Sequence, residues 1–328
     1  MAPSKRLIAF VGLGLVALIL LFQTRATLTK HKASGVFDYT GGLTSVASSL
    51  SMSNTDAVLY VHYDGDPIGR RNLQFFIDHA LHSKVDFYFI INGYNLTANI
   101  PEASNIHVIK RENTCYDLGS FGTVLQANDG EVMKKYKRFI LTNSSVRGPF
   151  FPNWARLAKQ ACWTDKLFAP LSDTTKLVGL TANCEHIHGP RHLQSFGLAT
   201  DSIGLEALLP ALKCFTDRMD AIINGEMAIT QRVRDAGYDA VPLYSAYADA
   251  GRSTQSNAAF WETCEHIDIF FPERYFEMDA HPFDTLFTKI HRQDEFTSTD
   301  PFSPLGMKVL HQLTDWADQS SFSSYDQC

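Results

Sequence analysis

Residues 57–142 follow an order of short elements that few folds can accept. Residues 57–63 (AVLYVHY) are apolar, β-branched and aromatic, the composition of a buried strand. Leu73, Phe76, Ile77, Ala80 and Leu81 then recur at helical spacing and mark one apolar stripe. Strands are predicted at 86–91 (DFYFII) and 106–109 (IHVI), a helix at 118–127, and a fourth strand at 138–142 (RFILT). Strand, helix, strand, strand, helix, strand at this spacing predicts an α/β domain with a mostly parallel sheet. Ligands of such sheets bind beyond the carboxyl ends of the strands, so the segments after Tyr63, Ile91, Lys110 and Thr142 are expected to line the site.

The second half is less regular. Residues 177–180 and 195–199 read as strands, and Leu205, Leu208, Leu209 and Leu212 share a helix face that Asp201 or Ser202 would cap. A helix over 226–236 stops at Gly237, and 286–290 is a late apolar strand. Beyond residue 313 the chain turns polar and serine-rich and reads as a tail.

At the other end, Lys5 and Arg6 precede an unbroken apolar run over residues 7–22. It approaches the ~20 residues that span a bilayer and exceeds the ~7–15 of a signal-peptide core. The residues after Phe22 lack a small-x-small cleavage site, so the run reads as an uncleaved anchor. The implied plan is a cytoplasmic tail (1–6), a transmembrane signal-anchor (7–22), a small and polar stalk (23–55), a domain over 56–312 and a polar tail (313–328). That plan is a single-pass type II protein of the Golgi or endoplasmic reticulum with its domain in the lumen. A net charge of −6 argues against a nucleic-acid partner, which would need a basic face. Six cysteines without a C-x-x-C pair exclude zinc-ribbon and thioredoxin patterns, and one or two pairs could be disulfides in an oxidising lumen. Asn95-Leu96-Thr97 and Asn143-Ser144-Ser145 match the N-glycosylation acceptor.

Motifs of common hydrolases, P-loop phosphotransferases, zinc proteases and dinucleotide binders are missing. Two polar segments stand where an α/β ligand should lie. After the third strand, Arg111, Asn113 and Asp117 lead into a helix start with Gly119 and Gly122, a loop that can offer a carboxylate and N–H groups to a ribose or phosphate. The plainer reading is that Asp117 caps the helix. After the fourth strand come Asn143, Ser144, Ser145 and Arg147, whose planar guanidinium suits a diphosphate; a hydrophilic surface turn explains them equally. Asp64-Gly65-Asp66 is a literal Asp-x-Asp, but it follows the first strand and reads as a helix-capping turn.

Taken together, Asn113-x-x-x-Asp117-x-Gly119 and the later Asn143-Ser144-Ser145-x-x-Gly148-Pro149 resemble the rhamnan-synthesis-F-type glycosyltransferases. They are more similar still to that family's uncharacterised eukaryotic membrane-anchored relatives. The resemblance runs from about Val58 to Lys289 and includes residues 179–184, 192–195, 199–201 and His281-Pro282-Phe283. It implies a GT-A-like fold, a Rossmann-like nucleotide-sugar domain merged with an acceptor half, and a nucleotide-sugar donor with a glycan or glycoconjugate acceptor. The donor would rest on Arg111, Asn113, Asp117, Asn143, Ser144, Ser145 and Arg147.

In that layout the fourth-strand turn carries an Asp-x-Asp holding a divalent metal, and here it reads Asn143-Ser144-Ser145. Neutral side chains are poor ligands for a hard cation. Either Arg147 and backbone amides neutralise the diphosphate, or Mn2+ or Mg2+ is held weakly, through His281. Glu226 stands where such enzymes carry the catalytic base, and Asp201 is the alternative; a helix-terminus acid and a cap are their plainer readings. The neutral turn also suits a non-catalytic luminal protein that binds carbohydrate or nucleotide on the same fold.

Overall fold

Every residue from Asp56 to His62 is buried, and because successive strand side chains point to opposite faces, both faces of this strand must be covered. The computed structural model describes residues 53–156, 162–185, 189–247, 254–265, 268–290 and 302–328. Residues 7–22 and the stalk up to residue 52 lie outside these, and no helix among the described residues is long and apolar enough to cross a membrane.

The chain runs β1 (Asp56–Tyr63), α1 (Pro67–Ala80), β2 (Asp86–Asn92), β3 (Ile106–Arg111), α2 (Tyr116–Lys135) and β4 (Arg138–Asn143). These are the elements and order expected from the sequence. After β4 come β5 (Val146–Arg147), β6 (Thr175–Gly179), β7 (Ala182–Asn183), β8 (His192–Leu193), β9 (Gly197–Asp201) and α3 (Ser202–Leu208). A π-helical stretch, Ala221–Glu226, leads into α4 (Met227–Asp235), followed by β10 (Asp239–Pro242), β11 (Thr288–Lys289) and α5 (Pro304–Gln319).

Seven strands form one sheet in the order β10-β6-β9-β4-β1-β2-β3. All neighbours are parallel except β9, which runs antiparallel to both β4 and β6. From β1 the chain builds outward through β2 and β3, then returns to place β4 on the other side of β1. The order therefore reverses between β1 and β4, the position at which an open sheet leaves a crevice beyond its carboxyl ends. Tyr63, Asn92, Arg111 and Asn143 end the strands around it.

Asp66 caps α1 by accepting from the N–H groups of Ile68 and Gly69. Asp64 is buried and accepts from Thr97 N and Oγ1, both at 3.1 Å, and so holds the loop that carries exposed Asn95. Both acids of the Asp-x-Asp thus serve the fold.

Residues 313–328 are not a tail. Ser303 caps α5, whose Leu310, Thr314 and Ala317 fall at helical spacing and are buried. Beyond it Phe322 is buried, its carbonyl accepts from His79 Nδ1, and Ser324 Oγ donates to His79 O at 2.7 Å. Cys328 pairs with Cys162. The polar composition came from a solvent face and from serines that cap and anchor. All six cysteines are paired, the others as Cys115–Cys214 and Cys184–Cys264.

Candidate active site

The loop from β3 into α2 is held by Arg111, whose Nη1 donates to Asn92 Oδ1 (2.8 Å), Thr114 O (2.8 Å) and Ser120 Oγ (3.0 Å). Cys115 and Tyr116 both adopt positive φ, and the Cys115–Cys214 bond ties the turn to the segment before the π-helical stretch. Gly122 faces that segment closely: a Cβ there would lie 1.8 Å from Leu212 O. The glycine is therefore needed for the approach of α2 to backbone. Arg111 organises the loop, whereas Asn113 is exposed at its tip.

This geometry turns Asp117 across the crevice toward β4. Its Oδ2 accepts from Asn143 Nδ2 at 2.7 Å, while Asn143 Oδ1 accepts from Ser145 N (3.0 Å) and Ser145 Oγ (2.6 Å). Asp117 does not cap the helix; position 115 is the cap and makes no side-chain cap bond. The contacts explain the neutral turn, since an aspartate at 143 would set a carboxylate against Asp117 and lose the donor between them. Asn143, 4% exposed, has its amide nitrogen committed to Asp117. Ser144 lies beside it, its N–H on Val61 O and its carbonyl on Asn72 Nδ2.

Glu226 ends the π-helical stretch, a rare geometry often found at functional sites. Gly225 packs on Leu118, one residue past Asp117, which brings the two acids into mutual range. Glu226 Oε1 accepts from Ser195 N (2.9 Å) and Ser195 Oγ (3.0 Å). Burial pushes the Asp117 carboxyl up to about 6; the Glu226 charge adds to this, and Lys289 and Asn143 oppose it. Lys289 reaches the same place from β11, which pairs with β5 just past the Asn143–Ser145 turn, and its Nζ lies 4.7 Å from the centre of the Phe196 ring.

Three expected residues are elsewhere. Arg147 is 7% exposed and lies between α1 and α5, with Nε on Asn72 Oδ1 (3.0 Å) and Nη1 on Thr314 Oγ1 (3.1 Å). Its guanidinium is committed to packing and does not line the crevice. Asp201 pairs with Arg138, the first residue of β4, because β9 is antiparallel. It therefore sits at the opposite, amino end of β4, about 17 Å along that strand from its carboxyl end. There it caps α3 through Gly204 N and pairs with Lys176 Nζ at 2.7 Å. His281 is exposed and caps the short helix Pro282–Thr285, accepting from Phe283 N at 3.3 Å; among the described residues it makes no hydrogen bond to Asp117, Asn143 or Glu226.

Sequence reasoning missed Ser195, Lys289 and Tyr63. Lys289 was visible as the one cation in the apolar run 286–290. Tyr63, half-exposed at the end of β1, lays its ring over Gly65, where a Cβ would lie 2.5 Å from the ring.

The turn does not fit a divalent cation. The carbonyl of Asn143 already takes two donors, its amide faces Asp117, and Lys289 places a positive charge nearby. Among the described residues, metal-ligand spacing occurs only at His82, Cys162 and Cys328, and those two sulfurs are bonded to each other.

No family model and no curated protein matches the sequence. Solved structures do. The chain is similar to the mannosyltransferase PcManGT from Pyrobaculum calidifontis, solved in complex with GDP-Man and Mn2+, at 11% identity over 72% of this chain and 64% of that one, with a TM-score of 0.36. It is similar to the glycosyltransferase GlyE of Streptococcus pneumoniae TIGR4 at 11% identity over 82% of this chain and 64% of that one, with a TM-score of 0.42. The chain thus spans just under two thirds of the length of each of these two glycosyltransferases.

Proposed function

We propose that this protein is a glycosyltransferase of GT-A-like fold that moves a sugar from a nucleotide-sugar donor to a glycan or glycoconjugate acceptor. One observation carries the reading: Asp117, Asn143, Ser145, Lys289 and Glu226 come from four separate segments and converge where the strand order reverses. The sequence resemblance to rhamnan-synthesis-F-type enzymes centres on the same Asp117 and Asn143 segments.

In the proposed reaction, an acceptor hydroxyl attacks the anomeric carbon as the bond to the diphosphate breaks. The hydroxyl proton passes to Glu226, and the nucleoside diphosphate leaves. Glu226 suits the role because Ser195 fixes one of its oxygens and the other has no hydrogen bond to any described residue. Asp117 and the Asn143–Ser145 turn would position the donor.

The pairing of all six cysteines supports an oxidising compartment. With the apolar run at 7–22, it favours a type II anchor and a luminal domain in the Golgi or endoplasmic reticulum, with Asn95 open to glycosylation. The neutral turn after β4 favours a second reading, a binding protein that has the fold without the reaction.

Incubation of the full-length chain with a panel of nucleotide sugars tests this. Release of nucleoside diphosphate without acceptor, lost in Glu226→Gln, is the result expected. Binding of a nucleotide sugar with no turnover under any acceptor would favour the second reading.

A further inference from the structure

The turn at the end of β4 lacks the Asp-x-Asp pair that would hold a metal, yet a donor diphosphate must meet positive charge somewhere. Arg147 is spent inside the packing, and Arg111 is spent on its own loop. Lys289 is different. Its backbone is fixed by the β5–β11 pairing, with Lys289 opposite Val146 and Ile290 N bonded to Ser145 O at 3.0 Å. Its Nζ rests 4.7 Å from the Phe196 ring, and no carboxylate lies within 4.0 Å of it among the described residues. An aromatic face orients an ammonium without neutralising it. The lysine is thus held at the crevice with charge to spare.

We infer that Lys289, seated on Phe196 beside the Asn143–Ser145 turn, is the fixed cation that receives the donor diphosphate in place of a divalent metal. This rests on the nucleotide-sugar reading and specifies how that site handles charge. A compact point charge held in place suits a leaving diphosphate, whose charge grows as the glycosidic bond of the donor breaks. Metal exchange would then have no part in donor entry or product release.

Calorimetry on the full-length chain in mild detergent decides it, using UDP, GDP, ADP and CDP with their nucleosides, in EDTA and in MnCl2. The expected result is a diphosphate that binds in EDTA within about threefold of its affinity in MnCl2. Lys289→Met should weaken that diphosphate roughly tenfold to a hundredfold, the range of one hydrogen bond to a charged group, and leave the nucleoside unchanged. Lys289→Arg should recover most of the loss, and retained nucleoside binding reports that the variants fold. A strict Mn2+ requirement, an unchanged diphosphate affinity in Lys289→Met, or an equal loss for nucleoside and diphosphate overturns the role of the lysine. If the unaltered chain binds no nucleotide at all, the donor reading falls and the lysine role falls with it.

Discussion

Ser195 gives both of its donors to one oxygen of Glu226, the backbone N–H at 2.9 Å and the hydroxyl at 3.0 Å. The carboxylate is oriented by a residue that leads into β9, across the crevice from the helix that carries Asp117. Replacing Glu226 by Gln keeps an oxygen for both donors and removes the basicity. Turnover is expected to fall by roughly 10²–10⁴, the usual share of a positioned general base, with the unfolding midpoint nearly unchanged. Ser195→Ala keeps the backbone donor and loses the hydroxyl, so a smaller loss is expected, about fivefold for one bond of about 1 kcal/mol. Steady-state kinetics beside a thermal melt reads both; a Glu226→Gln variant within about threefold of the parent would return this acid to a purely helical role.

Asp117 gives the site a pH signature. Burial, then the Glu226 charge, raises its carboxyl to about 6. Between the ordinary carboxylate range and about pH 6, the folded chain holds a proton that the unfolded chain has released. Stability contributed by this group therefore falls as pH rises through that window. Asp117→Asn should flatten that part of the profile in urea unfolding series. Glu226→Gln should move it to lower pH, because one of the two raising influences is gone. A profile indifferent to both substitutions would mean that the two acids do not sense each other.

How far these features could be read in advance depended on whether they were local. The apolar run of β1 and the stripe of α1 depend on neighbours in sequence, and both were legible, as was the polar character of the segments ending at Asp117 and Asn143. The direction of β9 was not, because a five-residue apolar strand reads alike in both directions. That reversal is what carries Asp201 to the far end of β4 and brings Ser195 to the crevice. Arg147 misled for a related reason: its position beside Asn143 was right, but in β5 its side chain turned toward Asn72 and Thr314, residues 75 and 167 positions away. Lys289 reached the crevice through pairing with β5, a contact that no local spacing announces.

Arg147 is expected to matter for stability and not for nucleotide binding. Burial pushes its guanidinium down to about 10, and its partners are neutral. Arg147→Ala would leave Asn72 Oδ1 without this donor and open space between α1 and α5. A loss of about 1–3 kcal/mol is expected from an orphaned buried acceptor. Diphosphate affinity, measured by calorimetry at a temperature where the variant is folded, should stay within about threefold. A loss confined to diphosphate binding would instead restore Arg147 to the donor site.

The last residue of the chain is a structural one. Cys328 closes a loop of 166 positions with Cys162, and the segment leading to it buries Phe322 and Ser324 against α1. If residues 313–328 were a solvated tail, removing the final cysteine would cost nothing measurable. A cross-link over that span removes about 5 kcal/mol of unfolded-state entropy on the chain-entropy model, and loss of a native disulfide typically costs about 2–5 kcal/mol. Cys328→Ser is therefore expected to lower the stability by an amount in that range. Deletion of residues 320–328 should cost more, because it also removes Phe322 and the Ser324 bond to His79. Neither change touches Asp117, Asn143, Glu226 or Lys289, so nucleotide affinity at low temperature should be retained while the denaturation midpoint falls. Adding a reductant to the unaltered chain should lower its midpoint at least as far as Cys328→Ser does. A Cys328→Ser variant as stable as the parent under oxidising conditions would show that the C-terminal segment is held by its packing alone.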